Sequence, residues 1–158
     1  MNFFVILGVA LLVGIDQAAK YLALCNLKPV GSITVIENIF SLTFVENRGA
    51  AFGILQGHTI LLAIVSIFIT VLLLYFYIKM PQGKIYKFIR FSLILIISGA
   101  IGNFIDRFLR GYVIDFFHAT FIDFPVFNVA DIYVVVGSIF MAILVTFFLE
   151  DDKKKEEK

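Results

Sequence analysis

Four apolar stretches, near residues 3–25, 58–78, 88–106 and 129–149, dominate the chain. Each is long enough for the roughly 20 helical residues that cross a bilayer core. The second carries no charge from Thr59 to Ile78, the third none from Phe91 to Ile105 and the fourth none from Ile132 to Leu149. Only the first is interrupted, by Asp16 and Lys20. Residues 33–46 follow another rhythm: Ile33, Val35, Ile36, Ile39 and Phe40 lead into an alternation of Phe40, Leu42 and Phe44 with Ser41 and Thr43, which is strand periodicity. Asn47, Arg48 and Gly49 then predict a turn, with Gly49 free to take a positive φ. The fold class is a membrane all-α protein with a small β element: four transmembrane helices plus an extracytoplasmic surface β-sheet, its apolar side expected toward lipid. The aromatic segment 111–127, with Tyr112, Phe116, Phe117, Phe121, Phe124 and Phe127, fits chain lying at a membrane interface.

Composition agrees with the pattern. Of 158 residues 61% are hydrophobic and 16% charged, and the mean hydropathy is +0.99, which suits a lipid solvent. An even number of spans puts both termini on one side. Lys79, Lys84, Lys87 and Arg90 in one connection, and Lys153, Lys154, Lys155 and Lys158 in the tail, make that side cytoplasmic by the positive-inside rule. Residues 1–150 then form one integral membrane domain, and 151–158 a charged, solvated cytoplasmic tail. The net charge of +1 gives no basic surface for a nucleic-acid partner. The first span lacks a basic flank, and Leu24 before Cys25 is too bulky for a cleavage site, so an uncleaved helix is expected. Cys25, the sole cysteine, excludes an internal disulfide and reads as a small buried apolar residue.

The polar residues within or beside the spans carry the candidate chemistry, because an ionisable group in a membrane helix needs a partner or a task. Asp16 and Lys20, four apart, share a helix face and read as a structural ion pair or a snorkelling lysine. Asn103 and Arg107 repeat that spacing. Asp106 points about 100° away from Arg107, which leaves Arg107 to cap its own helix, pair with Asp106, or grip a bound group. Asp115 follows the third span and Asp131 opens the fourth, three positions after Asn128. As isolated residues they read as a loop acid and a helix N-terminal acid. Brought together, two poorly solvated carboxylates would share a proton and run acid–base chemistry on water. His58 and His118 show no metal-ligand spacing.

Four blocks of residues carry a resemblance. Asp16, Gln17 and Lys20 read as DQxxK; Asn47, Gly49, Ala50, Ala51 and Phe52 as NxGAAF; Gly99, Ala100, Gly102, Asn103, Ile105, Asp106 and Arg107 precede Gly111, Val113, Asp115 and Phe116; Phe127, Asn128, Ala130 and Asp131 read as FNxAD. In this order the chain resembles the lipoprotein signal peptidase (signal peptidase II) family over residues 3–149. Two departures are Ser98, where the family usually has Gly, and Phe124, where Trp often precedes the proline.

The resemblance implies an aspartic endopeptidase that removes signal peptides from diacylglyceryl-modified prolipoproteins, cutting before the lipidated cysteine. It implies Asp115 and Asp131 as the catalytic dyad, with Asn47, Gly49, Asn103, Arg107 and Asn128 lining the substrate site. Asp16, Lys20 and Asp106 support that site. No metal or other cofactor is expected; the expected partners are the precursor, membrane lipid and globomycin-type inhibitors. The alternative is a small channel or transporter with proton-relaying carboxylates spread along a path through the bilayer; a purely structural membrane adaptor would leave the buried polar residues without a role.

Overall fold

The computed structural model describes residues 3–50, 54–122 and 124–148; Ala51 and Phe52 of the second block and the tail 151–158 lie outside them. The elements run α1 (Phe3–Asn26), β1 (Ser32–Ile36), β2 (Phe40–Asn47), α2 (Thr59–Lys79), α3 (Lys84–Arg110), β3 (Val113–Ala119) and α4 (Val129–Phe147). Among the described residues, all four helices are long and apolar enough to cross a membrane. At 1.5 Å per residue they measure about 28 to 40 Å against a hydrocarbon core of about 30 Å.

The third helix is longer at both ends than the expected 88–106. It takes in Lys84 and Lys87, good helix formers whose stems can lie along apolar surface, and the connection from α2 shrinks to 80–83. Arg90 closes that connection, its Nη2 donating to the Met80 carbonyl at 2.7 Å. At the other end the helix stops where Gly111 turns to φ 75° and returns its N–H to the Arg107 carbonyl. Only a residue without a Cβ adopts that cap cheaply.

Helix α3 is the hub and packs against α1, α2 and α4. Small residues let the helices approach. A Cβ built on Gly99 would collide with the Ala130 carbonyl, and one on Gly102 would sit 2.5 Å from the Asp16 carboxylate. Close contact at small residues is how helices associate without a hydrophobic driving force between them. Ser98 is fully buried, and its hydroxyl donates back to Ile94 O at 2.7 Å, so the departure from glycine leaves no polar group unmatched. The outward faces stay apolar, as with Ile60, Ile64, Phe68 and Val71 on α2. Cys25 lies on such a face: it is exposed, contrary to the buried position expected, because Ala23 and Leu27 take the inward positions around it.

The sheet has the order β1-β2-β3, antiparallel throughout. Within the aromatic segment 111–127, residues Val113–Ala119 form strand β3. It pairs with β2 through Phe40↔Ala119 and Asn47↔Val113, with a bulge between Leu42 and Val45. The apolar side of β2 turns inward, where it was expected to face outward. Leu42 and Phe44 pack on a core of Ala23, Leu27, Ile114 and Phe116, so the sheet sits on the end of α1. Ile33, Val35 and Ile36 of β1 remain exposed. The turn after β2 is made by a side chain: Gly49 N–H donates to Asn47 Oδ1 at 2.9 Å. Gly49 is not among the positive-φ glycines, because the asparagine mimics the backbone turn.

Candidate active site

Asp131 owes its place to the start of α4. Asn128 is the N-cap, its Oδ1 accepting Asp131 N–H at 3.0 Å, while Asp131 Oδ2 accepts Asn128 N–H at 3.0 Å. This reciprocal capping box satisfies two donors that the helix end would otherwise leave orphaned. It also fixes the Asp131 rotamer and leaves Oδ1 to accept from Asn103 Nδ2 at 2.8 Å.

Asp115 comes from the middle of β3 and is 2% exposed. Asn128 Nδ2 donates to its Oδ1 at 2.6 Å and Asn47 Nδ2 to its Oδ2 at 2.8 Å. Both amides have an unambiguous orientation, since each side-chain oxygen already accepts a backbone N–H. Burial pushes the Asp115 carboxyl up to about 7, and the neighbouring Asp131 charge pushes the same way; the two asparagines and Lys20 pull less strongly downward. A carboxyl that ionises near neutrality is suited to holding a proton and passing it on.

A buried charge cluster lies behind the pair. Lys20 Nζ is 2.9 Å from Asp16 Oδ2, 3.1 Å from Asp106 Oδ2 and 2.9 Å from Asn103 Oδ1. Lys20 is fully buried, so of the two readings the ion pair holds and the snorkelling lysine does not. Asp16 Oδ1 accepts Ala130 N–H at 2.9 Å, and Asp106 Oδ2 accepts Ile114 N–H at 3.2 Å. These bonds tie the starts of α4 and β3 to the bundle. Two members of the cluster had no assigned role in the sequence. Gln17 Nε2 reaches Gly102 O at 3.1 Å and Asp106 Oδ1 at 3.3 Å. Arg110 Nη1 is 2.6 Å from Asp106 Oδ1, a partner that the four-residue spacing from Asp106 would have revealed.

A cavity of about 710 Å³ opens in front of the aspartates, bounded by Asn47, Gly49, Asn103, Arg107, Asp115 and Asp131 among others. Arg107 does not pair with Asp106. Its Nη2 donates to Gly49 O at 3.2 Å and its Nη1 to Asn103 O at 3.5 Å, while Nε has no hydrogen-bond partner among the described residues. Asn128, expected to line the site, is fully buried and stands behind the cavity wall. Its amide is saturated by Asp115, Asn103 and the helix cap. Glu46, Arg48 and Gln56 at the rim, and Ser66 from α2, also face the cavity; nothing in their spacing pointed to it. His118 stays on the sheet, its Nδ1 3.4 Å from Thr43 Oγ1. No group of three or more His, Cys, Asp or Glu side chains converges among the described residues.

Comparison with known proteins adds a family. The model for signal peptidase (SPase) II matches residues 8–148. The lipoprotein signal peptidase of Clostridioides difficile (strain 630) is 48% identical over 143 residues, 90% of this chain and 95% of the relative. That of Caldanaerobacter subterraneus subsp. tengcongensis is 47% identical over 140 residues, 88% of this chain and 93% of the relative. A bacterial membrane enzyme solved by the in meso method at 2.3 Å superposes with a TM-score of 0.84 at 38% identity, covering 98% of this chain and 93% of its own.

Proposed function

The chain belongs to the signal peptidase II family, whose members remove signal peptides from prolipoproteins, and from that premise we propose that Asp115 and Asp131 carry out the cleavage as an aspartic pair. The supporting observation is their junction: Asn128 donates to Asp115 and caps the helix that presents Asp131, and both acids bound one cavity. The gathering of Asp16, Lys20 and Asp106 around the same site, rather than along a path through the bilayer, disfavours a proton channel.

Asp131 is the base. Its position in the first turn of α4 favours negative charge, and two N–H donors hold its carboxylate. Asp115, out of water and titrating near neutrality, is the acid. As a water oxygen bonds to the scissile carbonyl carbon, the water proton passes to Asp131 and the Asp115 proton to the carbonyl oxygen. In collapse of the tetrahedral intermediate, Asp131 returns its proton to the leaving nitrogen, the C–N bond breaks, and Asp115 recovers a proton from the hydroxyl. Arg107, whose Nε has no hydrogen-bond partner among the described residues, and Asn47 and Asn103 orient the peptide. The diacylglyceryl chains of the modified cysteine enter where Ser66 of α2 and Val134 and Val135 of α4 form the cavity wall, with lipid outside. By the positive-inside rule this site lies at the outer membrane face and both termini are cytoplasmic.

The test mixes purified protein in detergent with a diacylglyceryl-modified precursor. Wild type releases the signal peptide, leaves the unmodified precursor intact and is inhibited by globomycin. Asp115→Asn and Asp131→Asn insert normally and release none. Substantial cleavage by either variant refutes its assignment, and equal processing of unmodified precursor refutes the lipid requirement.

A further inference from the structure

At the end of the bundle away from the aspartates, α3 and α4 border an open surface hollow of about 640 Å³, lined by Lys84, Lys87, Phe88, Phe91 and Phe140. Four of these five form one stripe of α3, at positions i, i+3, i+4 and i+7, which superpose on a single helix face. The stripe runs about 10 Å along the axis, from two ammonium groups in the first turn to two aromatic rings below. Phe140 of α4 closes it, meeting the Phe91 ring edge-on with centroids 6.4 Å apart.

The depth of the stripe fixes its environment. Helix α3 is about 40 Å long, longer than the hydrocarbon core of about 30 Å, so its first turn lies at headgroup level while Phe91, two turns in, lies among acyl chains. Both lysines are exposed and neither has an ion pair among the described residues. The nearby Arg90 is otherwise engaged, with Nη2 on Met80 O at 2.7 Å and its guanidinium 5.9 Å from the Tyr77 ring centre. Positive charge at the surface end and aromatic walls at the buried end reproduce the order of groups along a phospholipid.

We propose that this hollow seats one anionic phospholipid, its phosphate held by Lys84 and Lys87 and its upper acyl chain lying along Phe88, Phe91 and Phe140. Anionic charge is selected because a zwitterionic headgroup would bring its own cation against two lysines that have no ion pair among the described residues. The seat is independent of the cleavage site, and its failure would leave the peptidase reading untouched.

The experiment is native mass spectrometry of the full-length protein released from micelles containing equal amounts of phosphatidylglycerol and phosphatidylcholine. Wild type retains one phosphatidylglycerol in preference to phosphatidylcholine. Lys84→Gln with Lys87→Gln lowers that retention about 25-fold, from about fivefold per juxtamembrane lysine. Phe91→Ser, at a ring 53% exposed and so tolerant of change, lowers it as well. Lys79→Gln, at a basic residue outside the hollow, leaves retention as in wild type. Equal retention of the two lipids overturns the seat, as does equal loss in Lys79→Gln, which signifies diffuse surface attraction. Glycerol phosphate competing as well as whole lipid overturns it by removing the role of the chain. Carbodiimide coupling of Lys84 or Lys87 to Glu156 or Glu157 overturns it by making the tail the occupant.

Discussion

At one end of α3, Lys84 and Lys87 stand on the surface without an ion pair among the described residues; at the other, Asp106 is fully buried between Lys20, Arg110 and the Ile114 amide. The same helix thus handles charge in opposite ways. At headgroup level a charge keeps its hydration, and a neighbour adds little. Beneath the sheet, hydration is lost, and each charge survives only because several partners replace water. Polar residues at the site end should therefore be intolerant of single changes, and those at the far end tolerant.

The largest effect expected is on chemistry. Asp115→Asn or Asp131→Asn removes one acid–base group and lowers cleavage of the modified precursor by at least about 10³-fold, with helix content by circular dichroism unchanged. Next comes stability at the cluster. Lys20→Met strands two buried carboxylates and should cost about 3–5 kcal/mol, read as a lower melting temperature in detergent; melting equal to wild type would erase the contrast between the ends. Gly99→Val, which drives a side chain into the Ala130 carbonyl and Val134, should cost about 1–3 kcal/mol by overpacking.

A pH series sharpens the comparison further. The folded Asp115 carboxyl titrates near 7 against 3.8 for the free group, so the folded state keeps a proton that the unfolded chain has lost. The associated stability is fully present below about pH 4 and is lost as pH rises through about 7. Asp115→Asn should flatten this slope, melting higher than wild type at pH 8 and converging toward it at pH 4. Cleavage by wild type should fall over the same upward range as the acid loses its proton. The smallest effect belongs to Lys28→Gln, at an exposed pair with Glu46, where melting should not change measurably.

The four spans were legible because apolar runs of that length have few other solutions. The aspartate pair was legible less from spacing than from the four motif blocks, since Asp115 and Asp131 taken singly read as a loop acid and a helix-start acid. Strand β3 was hidden by its own composition: Val113, Ile114 and Phe116 are buried on both faces, which erases the alternation by which β2 announced itself. Gln17 escaped because a hydrogen bond across 85 residues leaves no local periodicity, whereas Arg110 lay within reach of the four-residue spacing from Asp106.

What residue order determined alone is how many times the chain crosses lipid and where its charges must congregate, since hydropathy and charge act through the solvent and need no partner to be read. Only the tertiary structure decided which groups meet. Asn128 serves at once as helix cap and as donor to Asp115. Lys20 becomes the centre of a buried cluster, and the sheet packs Leu42 and Phe44 against the end of α1. Those outcomes depend on orientation and hydrogen-bond geometry between distant segments, which exist only once the helices have packed.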